Sequence, residues 1–129
     1  MKKDIATIGD IRKLVDTFYA GVQKDELIGP IFDKVIQGRW PSHLEKMYRF
    51  WQTVLLDEHT YFGSPFPPHA ELPVEKAHFS AWLGLWRQTV DDLFDGQKAA
   101  EAKWRAEKMA EMFRFKIDYY RQHTTKPLL

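Results

Sequence analysis

The sequence predicts an all-α domain, and three observations carry that reading. Apolar residues recur three and four positions apart along most of the 129 residues. No run alternates apolar and polar residues between hairpin turns. Four of the seven prolines fall within residues 57–73, which leaves long stretches free of helix breakers on either side.

The elements follow in order. Ile8, Ile11, Val15, Phe18, Tyr19 and Val22 make one face of a first helix, with Thr7 as its cap and Asp10 in its first turn. A shorter helix is predicted over 28–36, with Gly29-Pro30 in its first turn and Gly38 closing it. Pro41 then stands where a helix accepts a proline, ahead of the apolar face Leu44, Met47, Tyr48, Trp51, Val54 and Leu55. Residues 57–73 cannot form a long helix, and so long a loop in so small a domain tends to be functional. Helical spacing resumes at Phe79, Trp82, Leu83, Trp86, Val90, Leu93 and Phe94 and ends at Asp95-Gly96. The last helix carries Ala102, Ala106, Met109, Ala110, Phe113, Ile117 and Tyr120, and residues 121–129 read as a polar tail. The expectation is one domain over 1–129, with its core at about 8–120.

Composition removes several function classes. Nineteen Lys and Arg against eighteen Asp and Glu argue against a nucleic-acid or anionic-membrane partner. The absence of cysteine excludes disulfides, thiolate metal sites, thiol nucleophiles and covalent attachment of a cofactor through C-x-x-C-H. The first residues lack the apolar core of a secretory signal, and no stretch approaches the ~18 apolar residues of a membrane span. A soluble, cytoplasmic protein is therefore expected. No G-x-S-x-G, Walker, dinucleotide-binding or H-E-x-x-H motif is present, no helix has a clearly basic face, and Asp91-Asp92 lie on a solvated one. The aromatic content of 15% suits either a tightly packed core or a chain wrapped around a flat apolar cofactor.

Five histidines remain to be sorted. His69 lies in the Pro-rich loop, where it is either a metal ligand approaching from one side or a solvent-facing side chain with no task. His43 opens the helix behind Pro41, on a stripe with Met47, Phe50 and Val54. It stands at the rim of an apolar surface or faces water. Glu75-x-x-His78 has the spacing found in carboxylate-bridged di-iron bundles, but no second copy of the motif exists to complete such a site. His59 and His123 sit in polar surroundings.

Several segments taken together resemble the truncated haemoglobins, and within them the third group. They are Phe18-Tyr19, Gly29-Pro30-Ile31-Phe32, Trp40-Pro41-Ser42-His43-Leu44-Glu45-Lys46-Met47, Phe50-Trp51, Pro68-His69-Ala70-Glu71-Leu72-Pro73, and His78-Phe79-x-x-Trp82-Leu83. No single piece is specific; their order and spacing across residues 8–115 are. The paired-glycine motifs of the other truncated groups are missing, which points to the third.

The resemblance implies a truncated globin fold, two helix pairs crossed over a non-covalent haem b, with the helix before the proximal histidine reduced to loop. It implies His69 as the iron ligand, Tyr19, His43 and Trp82 as polar residues on the distal side, and Phe32 against the haem face. Met47 would sit one turn beyond His43, over the ligand, and His78 would reach a haem propionate. The implied function is reversible binding of O2, with NO, CO or cyanide as further ligands, in a monomer. O2 transport, NO dioxygenation with an unknown reductase, and peroxidase-like chemistry are all compatible with it, and a haem-based sensor or interaction protein is the alternative. Pro67, Pro68 and Ala70 depart from the family pattern beside His69, with a stiffer backbone and a looser proximal side as the expected result.

Overall fold

The first helix starts where the sequence places its cap. In the computed structural model, the Asp10 N–H donates to Thr7 Oγ1 (3.2 Å), while the Asp10 carboxylate accepts from the N–H groups of Ala6 and Thr7 at 2.9 and 3.1 Å. The structure describes residues 2–63, 69 and 73–124, with side chains as far as residue 122. Among these residues there are five helices and no strand: α1 (Ile8–Lys24), α2 (Gly29–Ile36), α3 (Trp40–Leu56), α4 (Lys76–Leu93) and α5 (Gln97–Thr124). No helix among them is long and apolar enough to cross a membrane. Pro67, Pro68 and Ala70 lie outside the described residues.

α1 packs on α3 and α4, and α4 packs on α5, so the α1/α3 and α4/α5 pairs cross through the α1–α4 contact. Of the predicted stripe of α1, Ile11, Val15, Phe18, Tyr19 and Val22 are buried and Ile8 is half-buried; Leu14, outside the predicted stripe, is buried with them. Phe18 meets the rings of Trp82 and Trp86 edge-on, at 5.7 and 5.0 Å. Trp86 is the largest fully buried side chain, and its indole N–H is satisfied by the carbonyl of Ala102 on α5 at 3.0 Å. Burial of an indole of this size contributes roughly 3 kcal/mol or more, and its satisfied N–H avoids the penalty of an orphaned donor.

Two short connections depend on glycine or on left-handed backbone. A Cβ on Gly29 would lie 2.9 Å from the carbonyl oxygen of Val22, so α2 can approach the end of α1 only without a side chain there. Gln37 and Gly38, at φ of 50° and 81°, turn the chain sharply into α3. The polar tail expected from residue 121 is helical through Thr124. Its first residue explains the extension: the Arg121 guanidinium donates to the carbonyl of Val74 (2.8 Å) and ties the last turns of α5 to the segment before α4.

One tertiary contact was invisible to pattern reading. The Asp4 carboxylate accepts from the N–H groups of Lys98 and Ala99, both at 2.9 Å, and so caps α5 from 94 and 95 residues away. Asp95 N–H donates to the carbonyl of Lys3 beside it. Gly96, at φ +144°, leaves the room that Asp4 occupies. Burial alone would raise the Asp4 pKa, but the backbone N–H groups of Lys98, Ala99 and Ile5, with the Lys98 charge, outweigh it and hold the carboxyl below its ordinary 3.8. A depressed carboxyl stabilises the folded state fully above the ordinary value and loses that contribution as pH falls through the lowered one. Asp4→Ala is therefore expected to cost about 1–2 kcal/mol in urea unfolding at pH 7, the scale of a lost helix cap, with the difference from wild type shrinking only in acid. Equal denaturation midpoints at neutral pH would contradict this cap.

Candidate functional site

Between the crossed pairs lies a cavity of about 210 Å³, bordered by all five helices and by His69. Every sequence-predicted site residue borders it: Tyr19 from α1, Phe32 from α2, His43 and Met47 from α3, His69, and His78 and Trp82 from α4. Its walls are otherwise apolar, as a site for a flat apolar group requires.

The polar residues fall into two sets carried by different elements. Tyr19 meets His43 at 5.0 Å between ring centroids and Phe32 at 5.9 Å, which joins α1, α2 and α3. Trp40 closes this cluster from outside, at 5.7 Å from Tyr19 and 5.8 Å from His43. His69, by contrast, lies against Phe113 of α5 at 4.8 Å. A ligand of the cavity would therefore meet His69 from one set of elements and Tyr19 with His43 from another.

The side chains of Tyr19, His43 and Trp82 make no hydrogen bond among the described residues. His43 Nε2 is buried with no hydrogen bond among the described residues. Its helix-start position leaves it turned inward, which settles the alternative of a water-facing side chain. Burial, aided by the neighbouring charges of His69 and Lys46, pushes its pKa down to about 4, so at pH 7 it is a neutral imidazole with one donor and one acceptor. Tyr19 is held as a phenol because burial raises its pKa, and neither its hydroxyl nor the Trp82 N–H has a hydrogen bond among the described residues. Orphaned buried polar groups are rare, and each costs about 1–3 kcal/mol. His43 Nε2 is such a group, and the Tyr19 hydroxyl and Trp82 N–H border the same cavity, so one ligand there would meet all three.

His78 is placed differently. The Glu75 N–H donates to His78 Nδ1 at 2.9 Å, so the Glu75-x-x-His78 motif starts α4 as a cap. With Nδ1 accepting, the neutral ring carries its proton on Nε2, a donor for a carboxylate at the cavity edge. His59 is exposed. The side chain of His123 lies outside the described residues.

A deep apolar cavity with an imidazole on one side and unpartnered donors on another fits a haem. Comparison with known proteins agrees. A family model described as bacterial-like globin matches residues 5–118. The chain is 31% identical over 127 residues to "Group 3 truncated hemoglobin ctb" of Campylobacter jejuni, covering 95% of this chain and 100% of that protein. It also matches the crystal structure of a group III truncated hemoglobin from Campylobacter jejuni. The TM-score is 0.84 at 30% identity, over 91% of this chain and 95% of that one. The chain belongs to the group III truncated haemoglobins. It is a haem-binding globin, with the fold that its sequence resemblance implied.

In this truncated haemoglobin, sequence reading missed the wall contributed by α5. Met109, Ala110, Phe113 and Ile117 border the cavity, although their helical spacing marks them only as a buried face. No local signal separates a residue that packs on another helix from one that packs on a ligand. Trp40 was visible only as part of a motif, and its place over Tyr19 and His43 is a tertiary fact. Because an unpartnered imidazole nitrogen is costly, His43→Leu is expected to raise the stability of the haem-free chain by about 1 kcal/mol in urea unfolding. A loss of similar size would show that His43 is already satisfied without a ligand.

Proposed function

We propose that this globin holds haem b through His69 and reversibly binds O2 at a five-coordinate iron, with NO, CO and cyanide as alternative ligands. The observation that carries the reading is the set of three polar side chains, Tyr19, His43 and Trp82, with no hydrogen bond among the described residues, on one apolar cavity that also holds His69. Haem, when bound, supplies the ferrous iron that takes the diatomic ligand.

The chain's own residues do the rest. His69 provides a neutral nitrogen donor, and Phe113 lies against its ring. Phe32 would pack on a bound haem, and His78 would offer its Nε2 proton to a propionate. Tyr19 and Trp82 donate to a ligand that gains partial negative charge on binding, as does His43 when its proton is on Nε2. Met47 and the aromatic walls exclude water from that ligand, so the donors act in a low dielectric where each hydrogen bond is stronger. Several donors on one ligand favour tight retention and slow release over bulk O2 transport. Chemistry between bound O2 and NO, with a separate cytoplasmic reductase restoring ferrous iron, suits that retention.

A hydrogen bond to a charged acceptor is worth roughly 1.5–3 kcal/mol, so Tyr19→Phe and Trp82→Phe should each accelerate O2 dissociation about ten- to a hundredfold in stopped-flow measurements. Unchanged rates in both variants would sink the donor model. Mixing the oxygenated protein with NO should convert it rapidly and stoichiometrically to ferric haem and nitrate. Slow or absent conversion would leave O2 retention without NO chemistry.

A further inference from the structure

Three of the five tryptophans form a continuous parallel stack at the centre of the molecule. Trp51 of α3 lies on Trp86 of α4 with centroids 4.5 Å apart and planes 21° apart. Trp86 in turn lies parallel to Trp82, one helical turn earlier, at 6.3 Å and 3°. The neighbouring rings behave differently: Phe18 meets both Trp82 and Trp86 edge-on, at 89° and 87°. Edge-on contact is enough to fill a core, whereas the close Trp51–Trp86 pair also brings two indole π systems face to face, with Trp82 parallel to them at a longer distance. All three indoles border the cavity.

The middle ring has the surroundings of a positive-charge site. Trp86 is 1% exposed, and its N–H donates to the Ala102 carbonyl at 3.0 Å. That carbonyl stabilises a cationic indole, because a hydrogen bond from a charged donor is about twice as strong as a neutral one. It cannot take up the proton, and water is kept away. An electron removed from the stack would leave a cation that retains its N–H.

We infer that the Trp51–Trp86–Trp82 stack is a one-electron donor to the haem when the globin meets hydrogen peroxide, with the resulting hole held on Trp86. The inference rests on the haem-binding reading above. Counted formally, reduction of one hydrogen peroxide to two waters breaks the O–O bond and takes up two electrons and two protons. The protons come from solvent, one electron comes from the ferric haem and the other from the stack. No proton leaves Trp86. Two phenolic one-electron donors from solution then return the two electrons, one to the stack and one to the haem, each passing its O–H proton to solvent, and the globin acts as a peroxidase on small phenols.

The test uses the haem-loaded full chain, freeze-quenched after one equivalent of hydrogen peroxide and examined by electron paramagnetic resonance. With ring-deuterated tryptophan the expected radical signal narrows, and it shows a coupling to one exchangeable N–H proton that is lost in heavy water. Trp86→Phe should reduce it at least tenfold, with the Soret band and helical circular dichroism retained. Trp104→Phe, which alters an exposed indole outside the stack and the cavity, should leave it unchanged; that variant and the label decide the matter even where Trp86→Phe does not fold. A signal insensitive to the label, abolished by Trp104→Phe, or absent although the haem reacts with peroxide would overturn the inference. A wild-type chain with no Soret band on haem addition would instead remove the haem-binding reading, and this inference with it.

Discussion

The protein lines an apolar cavity with a few polar groups. A phenol, an imidazole nitrogen and an indole N–H border the same space without a hydrogen-bond partner among the described residues. For the buried His43 Nε2 the penalty is about 1–3 kcal/mol, against the 5–15 kcal/mol by which domains of this size are stable. Folding alone gives no reason to keep them. A ligand that accepts from them does.

The rest of the architecture makes this cost tolerable. Adjacent residues of α1 divide the labour: Phe18 seats itself against the indoles of α4, while Tyr19, one position on, turns its ring towards His43 and Phe32. The core on the Phe18 side is closed by the satisfied N–H of Trp86 and by the apolar stripe of α5. The ends of α5 are fastened by residues remote in sequence, Asp4 at its start and Arg121 onto Val74 near its finish. These fastenings hold the wall that carries Phe113, and Phe113 lies on His69. His69 is thereby supported by α5, an element other than those that carry Tyr19 and His43.

Helix content and order were legible because amphipathic spacing is a local property. The Thr7–Asp10 cap, the Gly29-Pro30 start and the proline at the head of α3 are likewise written in neighbouring residues. Site residues were legible only through the collinear resemblance, since His69 and His43 each admitted a solvent-facing reading from pattern alone. What stayed hidden is what depends on distant contacts. Asp4 looks like any acidic residue near a terminus until its carboxylate is found on α5. Trp51, Trp82 and Trp86 read as ordinary core positions, and nothing in their spacing reveals that their planes are parallel. Met109, Ala110 and Phe113 are apolar whether a helix or a haem lies against them.

The most direct test is a titration of haem-free protein with ferric haem, followed by reduction and absorption spectroscopy, in wild type and in His69→Gly with and without added imidazole. Wild type is expected to take up one equivalent of haem and, once reduced, to show a five-coordinate ferrous spectrum. His69→Gly should lose that ligation and regain it when imidazole is supplied. A wild-type chain that binds no haem, or a His69→Gly variant whose spectrum matches wild type without imidazole, would contradict the account.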